Sequence, residues 1–165
     1  MSNLQHYIIL LDTSISMTRL MDKAIIGLNK FISKLDKNNY LSLVTFDSGM
    51  KYIIKAEKIE FITKIKKSVF TMGFSTMLYD TIINVIREFI ESDIKTQLHI
   101  ITDGCDTISQ ASKEKVEYCC KQITTTKQWN ITYYNPVNID FKLENIKNIT
   151  YDLNDIDNLL GNMSI

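Results

Sequence analysis

Asp12, Ser14 and Ser16 stand at alternate positions of Asp12-Thr-Ser-Ile-Ser16, directly after an unbroken apolar run. In a chain that stays extended, alternate side chains project the same way, so one carboxylate and two hydroxyls can converge on a point. A second apolar run ends in Thr102-Asp103-Gly104, where the glycine permits a tight turn and Asp103 supplies a second carboxylate at the corresponding edge. Between them Gly73-Phe-Ser-Thr76 precedes a helical pattern from about Met77 and adds the hydroxyls of Ser75 and Thr76. Each fragment also has a plain structural reading, as a capped loop, a helix cap or a turn. Taken together they are hard oxygen donors, which suit magnesium, manganese or calcium rather than zinc or copper. No softer set competes. His6 and His99 belong to no spaced pair, and Cys105, Cys119 and Cys120 lack the further ligands a zinc site needs, so all five read as structural or idle.

Elements that could carry these residues follow from the apolar periodicity. Tyr7 to Leu11 is a short apolar run of the kind covered on both faces, hence a central strand. Leu20, Met21, Ala24, Ile25, Leu28, Phe31, Ile32 and Leu35 recur by threes and fours, marking a helix with one buried stripe. Strands are expected over Leu41 to Phe46 and, shorter and more polar as at an edge, over Tyr52 to Lys58. Helices are expected over about Ile59 to Ser68 and Met77 to Glu91, then a buried strand over Leu98 to Thr102. A helix over Ala111 to Thr124 and a strand over Trp129 to Tyr134 come next, with Pro136 ending the pairing. Ile149 to Asp152 reads as a last strand and Asn154 to Met163 as a closing helix. Strands alternating with helices imply right-handed crossovers and a mostly parallel sheet. Ligands of such sheets bind beyond the carboxyl ends of the strands, where the strand order reverses.

In this order the fragments resemble the metal-ion-dependent adhesion site of the von Willebrand factor A (vWA) family. That site combines Asp-x-Ser-x-Ser, a threonine in a mid-chain glycine-rich loop and a downstream aspartate, matched here by Asp12, Ser14, Ser16, Thr76 and Asp103. Leu10-Leu-Asp-Thr-Ser-Ile-Ser-Met17 is close to the first motif, and Gly73-Phe-Ser-Thr-Met-Leu-Tyr-Asp80 is similar to the Gly-Gly-Thr-x-Leu-Tyr-Asp form of soluble members. The resemblance spans nearly the whole chain. It implies an α/β, three-layer, Rossmann-like fold, with a mostly parallel sheet, one short antiparallel edge strand and helices on both faces. It further implies that Ser14, Ser16 and Thr76 ligate one divalent ion, magnesium first and manganese or calcium as alternatives. Asp12 and Asp103 would hold waters and hydroxyls, and an Asp or Glu of a partner protein would complete the coordination. Two departures stand out: Ile15 replaces a glycine, and Phe74-Ser75 replaces the glycine before the threonine, so that Ser75 competes with Thr76 as ligand or cap.

At 165 residues, 45% hydrophobic and 23% charged, the chain reads as a single globular domain over 1–165. Lys plus Arg balances Asp plus Glu at 19 each, so no global field draws it to nucleic acid or an acidic membrane. Lys51 to Lys67 holds six lysines against Glu57 and Glu60, which reads first as the solvated side of an edge strand and helix, then as a basic partner face. The start, Met1 to Tyr7, carries no secretory pattern and no apolar run is long enough to span a bilayer. With an odd number of cysteines, this places the protein as soluble and cytoplasmic, in a host's cytoplasm if viral. Asn130, Asn148 and Asn162 begin glycosylation patterns that are then coincidental. A binding module rather than an enzyme is the leading expectation. The enzyme alternative is a haloacid-dehalogenase-like magnesium phosphatase, but its acid two positions after the nucleophile is here Ser14. A metal-free interaction scaffold is the other alternative.

Overall fold

In the computed structural model, residues 4–139 and 141–163 are described; Met1–Asn3, at the start of the expected leaderless N-terminus, and Ser164 of the last glycosylation pattern lie outside them. Six strands, β1 (Gln5–Asp12), β2 (Tyr40–Phe46), β3 (Met50–Lys58), β4 (Lys95–Ile101), β5 (Trp129–Pro136) and β6 (Lys147–Tyr151), form one sheet in the order β3-β2-β1-β4-β5-β6. Only β3 runs antiparallel to its neighbour. The helices are α1 (Met21–Lys34), α2 (Leu78–Phe89), α3 (Lys113–Thr126) and α4 (Ile156–Gly161).

The period-2 alternation of each strand sorts its side chains into two cores. Tyr7, Ile9 and Leu11 of β1 pack with Leu28 and Phe31 of α1 and Ile156 and Leu160 of α4. Ile8 and Leu10 join Ile82 and Ile86 of α2 and Val116 and Cys120 of α3 on the opposite face. Three layers result, as the alternation of elements predicts. From β1 the chain passes to β2 on one side, and β4 lies on the other, so the strand order reverses between β1 and β4. The crevice for a ligand therefore opens at the carboxyl ends of these two strands.

Several expectations need correcting. The helix expected over Ile59 to Ser68 is absent: two single 3-10 turns, Ile59–Phe61 and Lys67–Val69, flank an extended segment. Ile59 and Ile65 are both buried against α1, and residues six apart sit about 120° around a helix, so one helix cannot bury both on the same face. Asn29 of α1 takes the place of helical bonding, accepting from Ile65 N at 2.8 Å and donating to Ile65 O at 3.0 Å. The lysines nearby are indeed solvated, but on a strand and a loop, with exposed ion pairs from Lys55 to Glu88, Lys58 to Glu60 and Lys67 to Asp22.

The antiparallel edge strand β3 is the longest strand of the sheet at 9 residues, not a short one. Pro136 lies inside β5 rather than after it, paired with Tyr151. Pairing of β5 with β4 ends at Tyr134, while Val137 N bonds Tyr151 O of β6. Alternate amides face alternate neighbours, so the nitrogen of Pro136 faces the side where β4 has already ended and costs no ladder bond. The closing helix α4 is shorter than expected at 6 residues.

Candidate metal centre

Asp12 closes β1 on the same face as Ile8 and Leu10, and Thr102 follows β4 on the face of Leu98 and Ile100. Leu10 pairs with Ile100, so the same register brings Asp12 beside Thr102. The Thr102 hydroxyl donates to Asp12 Oδ2 at 2.6 Å, and Ser14 N donates to Oδ1 at 2.7 Å. Asp12 is 0% exposed. Both of its oxygens thus hold protein groups: one fixes the first loop, the other ties that loop to the turn carrying Asp103. Tyr151 of β6 secures the same turn by donating to Thr102 O at 3.1 Å.

Ser14 is extended, but the chain then turns at once into a 3-10 helix over Ile15–Arg19, with Met17 N bonding Ser14 O. Strand alternation therefore does not deliver Ser16, as the sequence pattern suggested; the tight turn does. Its hydroxyl lies 3.1 Å from that of Ser14 and donates to Asp103 Oδ1 at 2.8 Å. Neighbouring ligands around an octahedral magnesium with bonds of about 2.0–2.1 Å are about 2.9 Å apart, close to the serine spacing. A hydroxyl whose proton is engaged by a carboxylate keeps its lone pairs free for a cation. The donor set thus fits a hard divalent ion.

The second loop reaches this point through backbone contacts. Gly73 N bonds Thr13 O at 3.0 Å, and Gly73 forms a parallel bridge with Ser14. Asp47, which follows β2, lies so close that a Cβ on Gly73 would come within 2.7 Å of its Oδ2. Met77 N bonds Asp47 O at 2.7 Å. Thr76 is buried, and Thr107 holds its backbone from both sides, accepting from Thr76 N at 2.8 Å and donating its own amide to Thr76 O at 2.9 Å. Among the described residues neither the Ser75 nor the Thr76 hydroxyl makes a hydrogen bond, and Met77 caps α2 without a side-chain bond. The capping explanation for these hydroxyls therefore fails. Asp106 and Ser109 cap α2 instead, accepting from Tyr79 N and Asp80 N at 3.1 and 3.0 Å, while Asp80 accepts from Gln110 N and Ala111 N.

Four of the five predicted residues are thus linked by direct hydrogen bonds, and Thr76 lies in the loop bridged to Ser14. Sequence reasoning missed Asp47, Thr102, Asp106, Thr107 and Tyr151, which hold these loops. Asp47 and Thr102 carried a signal, since each immediately follows a buried strand; the capping by Asp106 and Ser109 across loops carried none. Burial raises the pKa of Asp12, opposed by its bonds from Thr102 and Ser14 and reinforced by Asp103. Burial also raises that of Asp103, opposed by Ser16. No lysine, arginine or histidine among the described residues forms an ion pair with either. A buried and a half-buried carboxylate, linked through Ser14 and Ser16, have no basic ion-pair partner among the described residues, an arrangement a cation stabilises.

Neither histidine takes part. His6 bonds the Ser42 hydroxyl at 2.9 Å and His99 the Tyr134 hydroxyl at 3.0 Å, and burial lowers both to about 4. Among the described residues no three His, Cys, Asp or Glu side chains gather as metal ligands, so the candidate centre rests on hydroxyls beside two carboxylates.

The sequence matches no family profile and no curated protein. Solved structures do match. The ArnB paralog VWA2 from Sulfolobus acidocaldarius superposes over 98% of this chain with a TM-score of 0.71 at 17% identity. A von Willebrand factor type A protein from Catenulispora acidiphila does so over 97% with a TM-score of 0.72 at 14% identity. This chain has the vWA fold. Proximal thread matrix protein 1 from the mussel byssus, solved with zinc in its MIDAS (metal-ion-dependent adhesion site) motif, matches over 95% with a TM-score of 0.69 at 13% identity. The vWA fold here spans less than half of each of these chains, 45%, 42% and 46% respectively.

Proposed function

We propose that this chain is a divalent-metal-dependent protein-binding module of the vWA type, a single domain in which Ser14, Ser16 and Thr76 hold the ion and Asp12 and Asp103 orient them. One observation carries the reading: the Ser14 and Ser16 hydroxyls lie 3.1 Å apart between the buried carboxylate of Asp12 and the half-buried one of Asp103, neither of which has a basic ion-pair partner among the described residues. The zinc-bearing vWA relative supports it by fold. When bound, the ion, magnesium first in our reading, supplies a Lewis-acidic point that attracts a carboxylate from an Asp or Glu of the partner. The chain's own residues set its strength. Three neutral hydroxyls neutralise little charge, Asp12 locks the first loop to the third, and Thr107 fixes the Thr76 backbone so that its hydroxyl stays unpaired.

Binding rather than catalysis is favoured because the position two residues after Asp12 holds Ser14, whose hydroxyl contacts Ser16 rather than serving as an acid. The free thiols of Cys105, Cys119 and Cys120 support an intracellular location. Among the described residues no helix is long and apolar enough to cross a membrane. Calorimetric titration with magnesium and with manganese tests the site: we expect one ion per chain, with affinity at least about tenfold weaker in Thr76→Ala and unchanged in Ser75→Ala. Added acetate should tighten metal binding, since coupling between the two is reciprocal. Equal affinity in wild type and Thr76→Ala would remove the threonine, and with it this ligand set.

A further inference from the structure

Large apolar side chains stand exposed on each of the three loops that meet at the site. Ile15 is 55% exposed, Phe74 84% and Ile108 45%. Each is one residue from a group that builds the centre. Ile15 lies between Ser14 and Ser16; Phe74 follows Gly73, which is bridged to Ser14; Ile108 follows Thr107, which clamps Thr76. The residues next to them, Ser14, Gly73 and Thr107, are tied by bonds of 2.8 to 3.0 Å, so the apolar groups stand beside fixed points of the three loops. Exposed apolar groups on the very loops that build a polar centre mark an interaction surface.

We propose that Ile15, Phe74 and Ile108 form an apolar collar that selects a partner segment in which one Asp or Glu is flanked by apolar residues. This rests on the metal-dependent binding proposed above. Charge rules out acidic flanks, and the exposed collar favours apolar flanks over basic ones. The loops at this edge carry Asp12, Asp47, Asp103 and Asp106, and none of these forms an ion pair among the described residues. A single carboxylate drawn to the cation is accommodated there, whereas further acids beside it meet like charge, and flanking lysines or arginines would leave the collar wet. Apolar flanks bury against Ile15, Phe74 and Ile108. A small free carboxylate reaches the ion but covers none of the collar, so it binds weakly.

The test uses two capped pentapeptides, Ser-Leu-Asp-Leu-Ser and Ser-Gly-Asp-Gly-Ser, titrated into the protein with saturating magnesium and followed by amide chemical shifts. We expect the leucine peptide to bind at least about tenfold tighter than the glycine peptide, because burying one large apolar side chain suffices for that factor. In the double variant Ile15→Ser with Phe74→Ser the preference should shrink to about twofold or less, while magnesium affinity, measured separately by calorimetry, stays as in wild type. Equal binding of the two peptides by magnesium-loaded wild type overturns the collar and leaves the metal site standing. A preference that persists in chelator, or in the double variant, places the apolar contact elsewhere and also overturns it. Absence of magnesium binding to wild type removes both proposals together.

Discussion

Replacing Asp12 by asparagine separates the two tasks that the structure gives this side chain. Asp12 is fully buried, accepts from Ser14 N at 2.7 Å and from the Thr102 hydroxyl at 2.6 Å, and its charge is disfavoured by burial. Asn keeps the volume and one acceptor. Its amide would point at Thr102, whose hydroxyl can accept from it and turn its proton to Gly104 O, already 3.2 Å away. Losing charge-assisted bonding costs about 1.5–3 kcal/mol, and removing a desolvated charge returns a comparable amount. Metal-free stability should therefore change by no more than about 1 kcal/mol. The metal response behaves differently. With magnesium at a hundredfold excess over Kd, wild type gains about 2.7 kcal/mol, which for a domain of this size raises Tm by about 5–10 °C. Asp12→Asn should gain less than about 2 °C, because the remaining set has one carboxylate. Thermal unfolding by circular dichroism, with chelator and with excess magnesium, reads both quantities. A variant that gains as much from magnesium as wild type, or that unfolds far below it in chelator, refutes the reasoning.

Two further outcomes follow from other parts of the molecule. His6 and His99 titrate at about 4 in the folded protein against 6.5 ordinarily, so the unfolded chain takes up their protons first as pH falls; stability is intact above about 6.5 and is lost towards about 4, by roughly 2 kcal/mol per histidine at pH 5. The raised carboxyls of Asp12 and Asp103 act with the opposite sign, which is why His6→Asn is the useful comparison: its urea midpoint in chelator should fall by about half as much between pH 7 and 5, and a slope equal to wild type would exclude His6 as a source. A Cβ on Gly27 would come within 2.7 Å of both Asp157 O and Leu160 Cβ, where α1 crosses α4. Gly27→Ala gains about 1 kcal/mol of helix propensity but overpacks against backbone, so we expect a net loss of about 1–3 kcal/mol in chemical denaturation; a stabilised variant would show that α4 shifts freely.

Much of this protein was legible from residue order alone. The strands and the major helices follow from apolar period, because a buried strand or an amphipathic helix has to show its buried face in the chain. The placement of Asp12, Ser14, Ser16, Thr76 and Asp103 at the carboxyl edge was equally visible, since oxygen-bearing residues just past buried strands or before a helix fall there in a parallel sheet; their role as a ligand set is our proposal. Tertiary structure alone decided the rest. Ile59 to Ser68 carries helical signals, yet burying both Ile59 and Ile65 against α1, with Asn29 supplying the backbone partners, outweighs local propensity. The capping of α2 by Asp106 and Ser109, the clamp of Thr107 on Thr76 and the brace from Tyr151 to Thr102 join residues up to 49 positions apart. Such bonds leave no periodic trace in sequence, because they depend on where two loops meet rather than on what either loop prefers by itself.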